Sequence, residues 1–172
     1  MYTRRGKNRF VIVFPKLGIA VKLPLVHAIR AARDFLTYGF KPPFPGEYNK
    51  SLTEHLFKGM GDNWREFTYY LRTRHPFLHE TYFSLFGLFN IQRAGVPCGR
   101  SMQELWTEID SLTSGDAFAD AHHFANVSNF CHVGDHLKII DYGHPKTQEI
   151  IDKYGSKLYD CNHGRCLREI AA

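Results

Sequence analysis

The sequence is short of several things, and each shortage sets a class of protein aside. Its four cysteines, Cys98, Cys131, Cys161 and Cys166, are too few and too irregularly spaced for the disulfide framework of a small secreted scaffold, so a reducing, cytoplasmic setting is expected. No apolar run reaches the roughly 18 residues that a membrane span needs. The basic head and apolar follow-on of MYTRRGKNRFVIVF have the look of a signal peptide, but Pro15, Lys16 and Gly18 break the run and no small-residue cleavage site follows. Neither secretion nor contact with a membrane is expected. Internal repeats and low-complexity tracts are also missing, and with them the case for a repeat architecture.

What is present is apolar and aromatic. Of 172 residues, 44% are hydrophobic and 15% aromatic, enough for one well-buried core and hardly for two, so a single domain over 1–172 is expected. Lys and Arg number 22 against 17 acidic residues, a formal net charge of +5 that favours phosphates or another polyanion as a partner without demanding one.

Local patterns then divide the chain. RFVIVF (9–14) and GIAVKL (18–23), β-branched and joined across Pro15-Lys16-Leu17, predict a β-hairpin. LVHAIRAARDFL (25–36) carries helical spacing after Pro24, and KPPFPGEYNK (41–50) with three prolines is a loop. Helical pattern resumes over 51–57, is interrupted by GMGD (59–62), and returns in NWREFTYYLRTR (63–74), where Trp64, Phe67 and Leu71 make the expected buried stripe before Pro76. TYFSLFGLFNIQ (81–92) predicts one long or two short strands, with Gly87 as a bulge or turn and its aromatic residues in the sheet core. In SMQELWTEIDSL (101–112), Ser101 with Glu104 three residues on is a capping box. Two short strands and a helix near 145–154 close the chain, giving an α+β order.

The residues that carry chemistry lie in HHFANVSNFCHVGDHLKIIDYG (122–143), where an apolar run ends in Asp141-Tyr142-Gly143 and Asn129 stands twelve positions before that Asp. With IAVKL supplying Lys22 and NWREF supplying Glu66, the order resembles that of the protein-kinase-like superfamily. There a strand Lys steadies nucleotide phosphates, a helix Glu holds the Lys, and a catalytic loop gives an acid and an Asn ahead of a metal-binding Asp-Phe-Gly. The resemblance implies a reduced kinase-like fold: a small antiparallel sheet with a packed helix over about residues 9–98, and a truncated second lobe over about 99–172. It implies Lys22 and Glu66 as nucleotide-site residues, Asn129 and Asp141 as ligands of Mg²⁺, and ATP as the nucleotide. The physics agrees with that division, because phosphoryl transfer needs charge neutralised around hard oxygen ligands more than it needs covalent help.

The departures are equally plain. Five positions before Asn129 stands Phe124, where the family carries its proton-accepting Asp, and a phenyl ring accepts no proton. His122 keeps the histidine that opens that loop, and Asp120 is the nearest substitute acid, with Asp116 behind it. The glycine-rich loop is reduced to Gly6, leaving Arg4, Arg5, Lys7 and Arg9 as point charges for phosphates or as a solvated end. Few residues follow Gly143, so the substrate-binding half is expected to be small.

These features imply a pseudokinase or regulator that binds Mg-ATP with weak or absent phosphotransfer. The alternatives are a non-catalytic interaction module that kept the scaffold, pairing with a protein partner or a second copy, and a basic nucleic-acid-binding protein. Read singly, Lys22 is a solvated strand residue, Asp-Tyr-Gly a turn, and Glu54 a rival to Glu66. Cys161, His163 and Cys166 form one loose cluster without the second half that a structural zinc site requires.

Overall fold

The structure is a computed structural model that describes residues 1–6, 8–26, 29, 32–33, 36–37 and 52–161, the first four of that last run in backbone only. The helix expected over 25–36 and the loop over 41–50 lie largely outside the described residues, as do His163 and Cys166.

The fold is α+β. Strands β1 (Tyr2–Arg5), β2 (Arg9–Phe14), β3 (Ile19–Pro24), β4 (Thr81–Ser84) and β5 (Asn90–Arg93) form an antiparallel sheet in the order β1-β2-β3-β5-β4. The β2–β3 connection is a single 3₁₀ turn, Pro15–Leu17, closed by Gly18 at φ 65°, which supplies the left-handed residue that ends it. The basic N-terminus, read from sequence as a solvated end, is instead edge strand β1, exposed on its side chains but paired along its length with β2.

Helix α1 runs unbroken over Leu52–Thr73, straight through the glycines expected to interrupt it. Gly59 is where the helix comes against the hairpin: a Cβ there would overlap the Asn8 carbonyl and Pro24. Its bare backbone is a packing requirement and not a breaker. The helix also faces the other way from the expected stripe. Trp64 and Leu71 are exposed, whereas Asn63, Glu66 and Tyr69 turn inward.

That inward face is polar because the sheet it meets is polar. The register places Lys22 opposite Val11 and Asn90, and Ala20 opposite Val13 and Gln92, so Arg9, Lys22, Asn90 and Gln92 share one sheet face by the two-residue period. Asn90 Nδ2 donates to the Asn63 carbonyl at 2.8 Å, and Asn63 Nδ2 donates to the Gly87 carbonyl at 3.1 Å. The aromatic segment 81–90 is two strands around a turn at Gly87 (φ 78°), and Tyr82, Phe83 and Phe86 are exposed rather than in the sheet core.

The hydrophobic core lies toward the C-terminal end of α1, where Tyr69 joins it. A second sheet, β6 (Val96–Pro97), β7 (Phe130–Val133) and β8 (His136–Ile139), packs with α2 (Met102–Leu112), the one-turn α3 (Ala121–Phe124) and α4 (Pro145–Cys161). Helix α2 starts on the expected capping box: Ser101 Oγ accepts from Glu104 N at 3.2 Å, and Glu104 Oε2 accepts from Ser101 N at 3.1 Å. Phe77, Leu78, Leu105, Ile109, Phe130 and Ile151 are almost wholly buried here. Leu78 bridges to Ile139, tying the end of α1 to β8. Among the described residues no helix is long and apolar enough to cross a membrane.

Candidate functional site

The site forms where the polar face of the five-stranded sheet, the inward face of α1 and the end of β8 converge. Lys22, on β3, reaches Glu66 on α1, with Nζ 2.8 Å from Oε1 and both side chains buried. The same ammonium donates to the Ile140 carbonyl at 2.7 Å, and so touches the backbone immediately before Asp141.

Arg9, on β2, joins this pair and was not singled out in the sequence beyond its place in a basic run. One guanidinium nitrogen lies 2.8 Å from Glu66 Oε2, and another is ion-paired with Asp141 Oδ1. Its period-two relation to Val11 and Val13 on β2 was the available signal, since it places Arg9 on the face that carries Lys22.

Two cations thus meet two carboxylates in a largely buried group. Burial alone would raise the Asp141 carboxyl, but the charges of Arg9 and then Lys22 outweigh it and hold the pKa at about 2. Burial works against the Arg9 charge, yet Asp141 and Glu66 raise its pKa above the ordinary value. For Lys22 burial wins: its pKa falls despite Glu66 beside it.

Asp141-Tyr142-Gly143 is docked on α1 and is more than a surface turn. A Cβ on Gly143 would overlap the Asp62 carbonyl, and Arg65 Nε donates to the Gly143 carbonyl at 3.0 Å. Tyr142 is fully buried. Its hydroxyl donates to the His79 carbonyl and accepts from Thr81, both at 2.7 Å, so the phenol has partners that a Phe would leave unused. Its pKa is pushed well up, first by burial and then by the Glu66 charge.

Asn129 lies one hydrogen bond from this segment: its carbonyl accepts from Ile140 N at 2.7 Å. The side-chain Nδ2 donates to the His123 carbonyl at 3.0 Å, which leaves the amide oxygen as the atom for a hard cation. Phe124 is wholly buried against Phe130, a core residue with no role in proton transfer. Asp120 is buried too, with one oxygen held by Thr147 and the other by His123 at 2.8 Å. Those hydrogen bonds outweigh burial, which acts in the opposite direction, and keep its carboxyl below the ordinary range. Asp116 is exposed and pairs with Lys153 at 2.7 Å. The Glu54 side chain lies outside what the structure describes.

No family model, curated protein or solved structure matches the chain. The chemistry therefore has to be argued from the geometry. Lys22, Glu66, Arg9 and Asp141 pair with one another, Asn129 is one backbone hydrogen bond away, and no base stands at the Phe124 position. A second buried group, His79 with Cys131, is inert: the thiol lies 3.4 Å from His79 Nδ1, burial pushes it up to about 12, and burial lowers His79 to about 4.

Proposed function

We propose that the chain is a reduced protein-kinase-like domain that binds a purine nucleotide, ATP with Mg²⁺, and transfers phosphate weakly or not at all. The observation that carries this reading is the buried Lys22–Glu66 ion pair whose ammonium also touches the residue before Asp141. A strand Lys fixed by a helix Glu, next to a carboxylate, is the arrangement that phosphate-handling kinase-like sites use. Asp141 and the Asn129 amide oxygen would hold the ion, whose chemistry is to bridge and neutralise phosphate oxygens. Lys22 would set the phosphates, and Glu66 would set Lys22.

Arg9 qualifies the proposal. Its guanidinium occupies Asp141 in the free protein and supplies there the positive charge that a metal would supply, so Mg²⁺ has to displace it. With Phe124 in place of a base as well, the reading is a nucleotide-responsive regulator, since losing general-base catalysis alone costs about 10² to 10⁴ in rate.

Thermal unfolding with and without Mg-ATP tests this. A ligand of the folded state present at 100 times its Kd stabilises it by about 2.7 kcal/mol. The native chain is expected to shift and an Asp141→Asn chain to shift much less; equal behaviour of the two removes Asp141 from the site.

One observation favours a second reading, an interaction module on the same scaffold. Trp64 and Phe86 lie 5.9 Å apart by ring centroids on the outer side of α1, both exposed, with Leu71, Tyr82 and Phe83 also exposed. A patch of this kind is the usual mark of an apolar partner surface.

A further inference from the structure

Beyond the nucleotide reading, and independent of it, stands a group of histidines around one buried carboxylate. Asp120 ends the 3₁₀ turn Asp116–Asp120, His122 and His123 lie on α3, and His144 immediately precedes α4. All three rings aim Nδ1 at a single oxygen, Asp120 Oδ1, at 3.1 Å from His122, 2.8 Å from His123 and 3.6 Å from His144.

Ordinary hydrogen bonding does not account for this convergence. Asp120 Oδ2 is already taken by Thr147, and His123 makes the one well-formed hydrogen bond to Oδ1. His144 Nδ1 is buried and has no hydrogen-bond partner, although it points toward the same place. An orphaned buried nitrogen beside an anion already hydrogen-bonded on both oxygens is a cost that a bound cation would remove.

We propose that Asp120, His122 and His123, with His144 as the fourth donor, bind one first-row divalent transition ion, Zn²⁺ being the best match. The donor atoms of Asp120, His122 and His123 all lie within 4.8 Å of one another, and His144, outside that group with Nδ1 3.6 Å from Asp120 Oδ1, has to move in to complete the set. A tetrahedral ion with bonds of about 2.0–2.1 Å needs donor–donor edges of roughly 3.3–3.4 Å, and the three separations from Asp120 Oδ1, 2.8 to 3.6 Å, bracket that value. Three imidazole nitrogens with one carboxylate oxygen suit Zn²⁺ and its neighbours and do not suit Mg²⁺, which prefers the all-oxygen set of Asp141 and Asn129. Thr147, donating to the second carboxylate oxygen, is the partner that orients the anionic ligand. The ion would clasp α3 to His144, three residues beyond Asp141 and just before α4, and hold the Asp-Tyr-Gly segment against α1.

The test is a titration of the metal-free full chain with Co²⁺, read by visible absorption and followed by displacement with Zn²⁺, without nucleotide. One equivalent is expected to give tetrahedral ligand-field bands with no thiolate charge-transfer band, and Mg²⁺ in excess is expected to leave them unchanged. His122 is largely exposed, so His122→Gln keeps the fold; it should bind about 10-fold more weakly, and His122→Gln with His144→Gln about 100-fold. No ligand-field band, a thiolate charge-transfer band, or native affinity in the double variant each overturns the proposal.

Discussion

Arg9, Lys22, Glu66 and Asp141 show what single side chains contribute. Removing one partner from a buried ion pair leaves a charge uncompensated and costs about 3–5 kcal/mol. Glu66, which holds both Lys22 and Arg9, should therefore be the most sensitive of the four. Glu66→Gln is expected to lower the denaturation midpoint strongly, read by urea unfolding, whereas Asp141→Asn, at a site nearly a third exposed, should cost clearly less. Acid titration brings in His79 and separates it from Asp141. His79 is held at about 4, below the ordinary ~6.5, so the unfolded chain takes up that proton first and stability declines as pH falls from about 6.5 to 4. Asp141 is held at about 2, against an ordinary ~3.9, so its contribution is complete above about 4 and is lost between 4 and 2. Unfolding midpoints across this range should show both stages, and Asp141→Asn should diminish the lower one, to which Asp120 also contributes, while leaving the upper. Lys22, Glu66 and Asp141 were legible because each stands in a patterned strand, helix or turn. Arg9 was not, because a basic run hides the one member that points inward.

At the scale of elements, α1 shows where pattern reading fails. Its buried face is Asn63, Glu66 and Tyr69, matched to Lys22, Asn90 and Gln92 on the sheet, and a hydrophobicity count assigns such a face to solvent. The apolar stripe of Trp64, Phe67 and Leu71 was real as a pattern but faces outward. Helix α2 was legible to the residue because its capping box is local chemistry that no tertiary contact overrides. The glycines of α1 give a prediction with opposite signs. Ala is better than Gly in a helix by about 0.8–1 kcal/mol. Gly61→Ala, which meets only the flexible Arg65 side chain at 3.6 Å, should raise the melting temperature. Gly59→Ala, which would overlap Asn8 and Pro24, should lower it.

For the whole molecule, the polar sheet-and-helix layer and the apolar core meet along α1 and the segment from Asn129 to Gly143. A ligand there would contact both, which is how nucleotide binding would be felt across the chain. The exposed Trp64 and Phe86 surface belongs to this scale as well: if it serves a second copy, sedimentation should show dimers that Trp64→Glu abolishes, and a monomer at every concentration removes that occupant. The α+β order could be read from hairpin, helix and strand signals. The polar interface could not, because it exists only once Lys22 and Glu66 are brought together across more than forty residues of chain.

The most direct test of the proposed nucleotide site is calorimetric titration of ATP into the native chain and into Lys22→Met, each with Mg²⁺ and with chelator. The native chain is expected to bind one ATP, more tightly with Mg²⁺, and Lys22→Met to lose most of that affinity while remaining folded by circular dichroism. Absence of binding by the native chain at millimolar ATP, or equal binding by the two, would contradict the account.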